Sequence, residues 1–77
     1  MMHLREILID TFNNSSIPED ITDLKIGDFD EWDSLGNFNL IMAVEKIYQI
    51  QFDIDCIENM TSVSEINKGI DNALSKQ

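Results

Sequence analysis

The sequence predicts an all-α fold, a four-helix bundle of three main helices plus one short helix, with a long loop between helices one and two. Three observations carry that expectation. Apolar residues recur at helical spacing in three separate windows. Two good N-cap types, Asp33 and Ser34, stand where the second window opens. Ser62 and Glu65 have the S-x-x-E spacing of a capping box, which satisfies two exposed backbone N–H groups where the last window begins.

Residues 3–13 read as an amphipathic helix. Leu4, Ile7, Leu8 and Phe12 recur along one side, with Ile9 as an extra apolar residue. Asn13, Asn14, Ser15 and Ser16 break the pattern, and Pro18 marks the exit. A connection then runs from about residue 15 to Asp33. Ile17, Ile21, Leu24, Ile26 and Phe29 are spaced along it as anchors, so it is predicted to lie ordered over the helices. The second helix is expected from Ser34 to about Ile50, followed by a turn of Gln51, Phe52 and Asp53. Ile54, Ile57 and Met60 suggest the short helix, capped by Asp53. The last helix begins at Ser62 and is expected to bury Val63, Ile66, Ile70 and Leu74.

Size and charge narrow the function. A chain of 77 residues makes a single domain, 1–77, with a small but workable core. A hydrophobic fraction of 43% argues against disorder. Fifteen acidic residues against 5 basic ones give a net charge of -10, with pI ≈ 4.1. That balance speaks against nucleic-acid binding, which needs a basic face, and favours partners with Lys and Arg patches. Cys56 is the only cysteine, so no internal disulfide forms, and it reads as a small half-buried apolar residue. His3, the only histidine, reads as a surface residue. Asp28, Asp30 and Asp33 lack the ordered positions and terminal Glu of a calcium loop, and no metal site is expected. Glu6 and Asp10 interrupt the apolar start, which is neither a signal peptide nor a membrane span; a cytoplasmic protein is expected.

The second helix has two apolar faces. Leu40, Ile41, Val44, Ile47 and Tyr48 fall on one broad side, with Ala43 at its edge, and form the core face. Leu35, Phe38 and Met42 fall on the opposite side, shared with Glu45, Lys46 and Gln49. A domain this small has too little protein to cover both sides, so the second face is predicted to meet water. Exposed apolar strips of this kind mark binding surfaces. Asp28, Asp30, Glu31, Asp33 and Glu45 would supply a charged rim.

Ser34 sits beside that strip. As a nucleophile it would need a base within reach, and the only imidazole is on another helix, so no catalytic residue is assigned. Two roles remain: a plain N-cap, or an attachment point. A helix N-terminus offers unpaired N–H groups and a partial positive charge, which would favour a phosphodiester placed there.

Asp33-Ser34-Leu35, continued through "NLIMAVEKIYQIQF" to "MTSVSEI", resembles the acyl carrier protein family, which includes peptidyl and D-alanyl carriers. The resemblance covers essentially the whole chain. It implies an acyl-carrier-like four-helix bundle that is not an enzyme. It also implies that Ser34 carries a covalent 4′-phosphopantetheine arm taken from coenzyme A, with Asp33 helping the transferase and its metal act on the serine. The arm's thiol would hold acyl or aminoacyl groups as thioesters. Leu35, Phe38 and Met42 look like the family's partner-facing strip, with Asp30, Glu31 and Glu45 around it. The implied partners are a phosphopantetheinyl transferase and acyl- or aminoacyl-loading and acyl-processing enzymes with basic docking patches, meeting a monomer. A growing chain would be shielded where Ile41, Val44, Ile57 and Met60 part. Gly36 and Asn39 stand where fatty-acid-synthesis carriers commonly have acidic residues, and Lys46 replaces an acidic type. These departures set a specialised lipid, surface-glycan or secondary-metabolite pathway beside fatty-acid synthesis. A rival from another class is a cofactor-free acidic interaction module, a regulator or nucleic-acid mimic. It accounts for the charge and the strip but gives no reason for Asp-Ser-Leu at a helix start.

Overall fold

A computed structural model of the protein describes residues 3–14 and 16–75. Four helices follow in order: α1 (Leu4–Phe12), α2 (Ser34–Tyr48), α3 (Ile54–Asn59) and α4 (Val63–Ser75). No strand occurs among the described residues; one isolated antiparallel bridge pairs Lys25 with Ser62. No described helix is long and apolar enough to cross a membrane. Ser15, part of the predicted exit from α1, lies outside the described residues.

The periodic faces become the core. Leu4, Ile7, Leu8 and Phe12 of α1 pack with Leu40, Ile41 and Val44 of α2 and Val63, Ile66 and Ile70 of α4. Ile47 and Tyr48 are half-buried against that cluster, as is Ala43. Both α1 and α2 end on a non-glycine residue in the left-handed region, Asn13 (φ 50°) and Gln49 (φ 56°). Their N–H groups turn back to the carbonyls of Ile9 and Glu45, satisfying acceptors that the helix ladder leaves open. α2 therefore stops at Tyr48, two residues short of the predicted Ile50.

The long connection is ordered, as its apolar spacing predicts. Arg5 of α1 fixes its start, donating from Nε to the Pro18 carbonyl and from Nη2 to that of Ile17, both at 2.9 Å. Ile17 is buried; Ile21, Leu24, Ile26 and Phe29 are half-buried against the core. Ile26 N–H donates to the Thr61 carbonyl at 2.7 Å and Val63 N–H to that of Leu24 at 2.9 Å, joining the loop to the start of α4. Gly27 takes φ 94° and donates to the Trp32 carbonyl at 2.8 Å, a turn that an L side chain rarely adopts. Trp32 then enters the core as the largest fully buried side chain, its ring 5.6 Å from that of Phe12. The apolar spacing did not single out this anchor.

Several expectations are corrected. Leu74 is 42% exposed, and Ala73 is the residue of the last turn of α4 that is half-buried against the core. Cys56 is exposed rather than half-buried. Asp53 occupies the N-cap position of α3 but makes no side-chain cap bond. Of the predicted capping box, Glu65 N–H donates to Ser62 Oγ at 3.2 Å, while the Glu65 carboxylate lies 3.8 Å from Lys68 Nζ.

Candidate functional site around Ser34

Asp33, not Ser34, caps α2. Its backbone is extended (φ -98°, ψ -167°), and its Oδ1 accepts from Gly36 N–H at 2.7 Å. Ser34 is thereby the first helical residue, exposed to solvent, and its hydroxyl has no hydrogen-bond partner among the described residues. The competing role of plain N-cap thus falls to its neighbour. Asp33 also brings negative charge to the positive end of α2, so the dipole's pull on an anion at Ser34 is partly offset.

Gly36 has a local reason. The Glu31 carbonyl lies where a Cβ on Gly36 would stand, and Asp33 Oδ1 would be 3.3 Å from it. The closing turn of the loop packs directly on the helix backbone, and any side chain would push it away. The sequence registers only a propensity cost at this position; the cost is the condition for the turn that presents Ser34.

A buried amide braces the same turn from beneath. Asn37 Oδ1 accepts from Trp32 Nε1 at 2.9 Å, and Asn37 Nδ2 donates to the Met60 carbonyl at 3.0 Å. Ser34 lies between the two bonded residues in sequence, so loop, α2 and the end of α3 are joined under it. No sequence signal used above pointed to Asn37. One existed: it precedes Leu40, Ile41 and Val44 by three, four and seven residues, placing an amide on the core face.

The second face of α2 is open. Leu35 is 70% exposed, Phe38 52% and Met42 52%. Ile54, at the start of α3, is 76% exposed and was not part of the predicted strip. Asp28, Asp30, Glu31 and Asp33 are exposed. Asp28 accepts from Lys25 N–H at 2.9 Å, and Glu31 from Asn14 Nδ2 at 3.4 Å. Glu45 departs from the expectation of a solvated rim. It is half-buried, and its Oε2 accepts from Phe52 N–H at 2.8 Å. Ile41 and Val44, expected to part around a cargo chain, are closed in by packing, while Ile57 is half-buried. Met60 borders an open, mainly apolar groove of about 380 Å³ between α3 and α4, with Cys56, Gly69 and Asn72.

This arrangement has a counterpart among solved structures. The chain is similar to the solution NMR structure of holo acyl carrier protein from Geobacter metallireducens, with a TM-score of 0.82 and 29% sequence identity over 95% of this chain and 83% of that one. No family model matches the chain, and no curated protein matches it.

Proposed function

Since the chain has the acyl carrier protein fold and is related to that family, we propose that it carries acyl or aminoacyl intermediates as thioesters on a 4′-phosphopantetheine arm bound to Ser34. The observation that carries this reading is the free, exposed hydroxyl of Ser34 at the first position of α2, with the capping duty taken by Asp33. Ser34 is the acceptor, coenzyme A the donor, and a phosphopantetheinyl transferase the catalyst. Asp33 stands beside the hydroxyl, where its remaining acceptor capacity serves the transferase and its metal. The arm supplies a terminal thiol, so Cys56 has no part in the chemistry. Tethering gives a bound intermediate a high effective concentration at each enzyme it meets.

Leu35, Phe38 and Met42 form the landing strip for those enzymes, within a rim of Asp30, Glu31 and Asp33 that suits basic patches. The protein acts as a single carrier domain, monomeric and cytoplasmic, and as a tethered substrate rather than a catalyst. Its pathway is fatty-acid synthesis or a specialised lipid, surface-glycan or secondary-metabolite route. Gly36 does not bear on that choice, because the Glu31 carbonyl requires glycine whatever the cargo. Asn39 and Lys46, both exposed, do bear on it, since they reduce the negative charge that α2 offers a partner.

Incubation with coenzyme A and a promiscuous phosphopantetheinyl transferase, followed by intact mass measurement, tests the reading. The expected result is a gain of one phosphopantetheine that Ser34→Ala abolishes. No gain on the wild type, or a gain that survives the substitution, would favour a cofactor-free interaction module.

A further inference from the structure

α3 is attached to α2 mainly by its ends. None of its residues is fully buried; Ile57 alone is half-buried, whereas the flanking Phe52 and Met60 are buried. Two side chains of α2 reach those flanks. Glu45 Oε2 accepts from Phe52 N–H at 2.8 Å, two residues before α3 begins. Asn37 Nδ2 donates to the Met60 carbonyl at 3.0 Å, immediately after α3 ends. Eight residues of helix rise by about 12 Å, so the two bonds are roughly two turns apart on α2. The segment therefore runs back along α2, from the level of Glu45 to that of Asn37. Met42 and Glu45 line one open groove with Gln51, of about 670 Å³, which joins the exposed strip to the residues leading into α3.

We propose that Glu45 and Asn37 are positioning residues that clasp α3 to α2, and that Glu45 serves as the acceptor for Phe52 rather than as a docking charge. The clasp fixes where α3, with its exposed Ile54, stands relative to α2, so that an incoming enzyme meets exposed apolar residues of two helices in a set arrangement. This inference rests on the carrier reading for its functional half only. A carboxylate in a rim acts through its charge, and any neutral substitute weakens it. A carboxylate in a clasp acts through an oxygen lone pair, which the amide of glutamine also offers.

Glu45→Gln and Glu45→Ala separate the two roles. Amide hydrogen exchange at Phe52 reads the clasp, and the transferase's KM and kcat for the carrier read the surface. The glutamine variant is expected to keep Phe52 protected and to hold KM within about twofold of the wild type. The alanine variant should speed Phe52 exchange by about tenfold and raise KM several-fold, with kcat little changed because Asp33, Trp32 and Asn37 still hold Ser34. A KM raised equally in both variants would overturn the proposal and make Glu45 a docking charge. Unchanged Phe52 exchange in the alanine variant would overturn it as well. If the alanine variant does not fold, the glutamine variant decides through the same two readings. A wild type that accepts no arm would remove the carrier reading, and Phe52 exchange would still judge the clasp.

Discussion

The indole N–H of Trp32 donates to Asn37 Oδ1 at 2.9 Å inside the protein, two residues before Ser34 and three after it. The same amide holds the Met60 carbonyl, so three segments meet on one side chain. Every buried side-chain polar atom among the described residues has a partner, and this junction is where the most would be lost together. Trp32→Phe keeps an aromatic ring against Phe12 but leaves Asn37 Oδ1 without its donor. The expected cost is about 1–3 kcal/mol. Asn37→Leu also orphans the Met60 carbonyl and should cost more. Urea unfolding measures both. Trp32 is the only tryptophan, so its emission follows the junction in the Asn37 variant directly. An Asn37→Leu protein as stable as the wild type would mean that the amide braces nothing.

Gly36→Ala offers a test in which two effects have opposite signs. Helix propensity alone favours alanine by about 1 kcal/mol in a helix interior. The Glu31 carbonyl, however, occupies the place of the new methyl group, and backbone yields less readily than a side chain. Overpacking of this kind costs roughly 1–3 kcal/mol, so the variant should be destabilised and should lose the Asp33–Gly36 cap geometry. Its midpoint in thermal unfolding decides the sign; a higher midpoint would show that the turn has room.

Legibility of the sequence followed periodicity. α1, α2 and α4 each carry a stripe that repeats every three or four residues, and the two faces of α2 separate on a helical wheel because Leu35, Phe38 and Met42 share one side. Trp32 was missed because it lies in the loop, where no period says which side chain turns inward. Asn37 is not singled out, and Glu45 is read from the sequence only as a rim charge, for another reason: their hydrogen bonds depend on what approaches from a different segment. Glu45 stands one turn after the buried Ile41, which placed it nearer the core than its charge suggested. Leu74 shows the converse, since a residue on the periodic stripe is exposed while its neighbour Ala73 is half-buried. The geometry at Ser34 was legible in part: residue types predicted a capped helix start, but only the backbone dihedrals assign the cap to Asp33.

Acid should act on Asp20. Thr22 donates to Asp20 Oδ1 from its hydroxyl at 2.6 Å and from its N–H at 3.1 Å, and the side-chain bond is the larger cause that holds this carboxyl below the ordinary aspartate value. A carboxyl depressed in the folded state contributes stability that is present above its unfolded pKa and fades as pH falls through the folded one. Because Asp20 is fully exposed, the contribution is small and screened. Thr22→Val removes the hydroxyl donor while the N–H remains, so the titration midpoint of the Asp20 carboxyl carbon in NMR should rise part of the way to normal. An identical midpoint in both proteins would assign the depression to the backbone alone.

Ile41 and Met42 are adjacent in sequence and face opposite surroundings, one buried and the other half exposed. Removing the Ile41 side chain by alanine should cost about 2–5 kcal/mol, a large share of the stability of a small domain. Met42→Glu, in contrast, places a charge where water already reaches and should change stability by no more than about 0.5 kcal/mol. On the proposed carrier function its effect belongs to docking, because a partner that buries the strip must desolvate the new carboxylate. Phe38→Glu should behave in the same way. Both variants should keep the wild-type unfolding midpoint and show a raised KM for loading by the transferase. If instead Phe38→Glu or Met42→Glu unfolds the protein, the exposed face of α2 contributes to the core, and the surface assigned to partner enzymes must lie elsewhere.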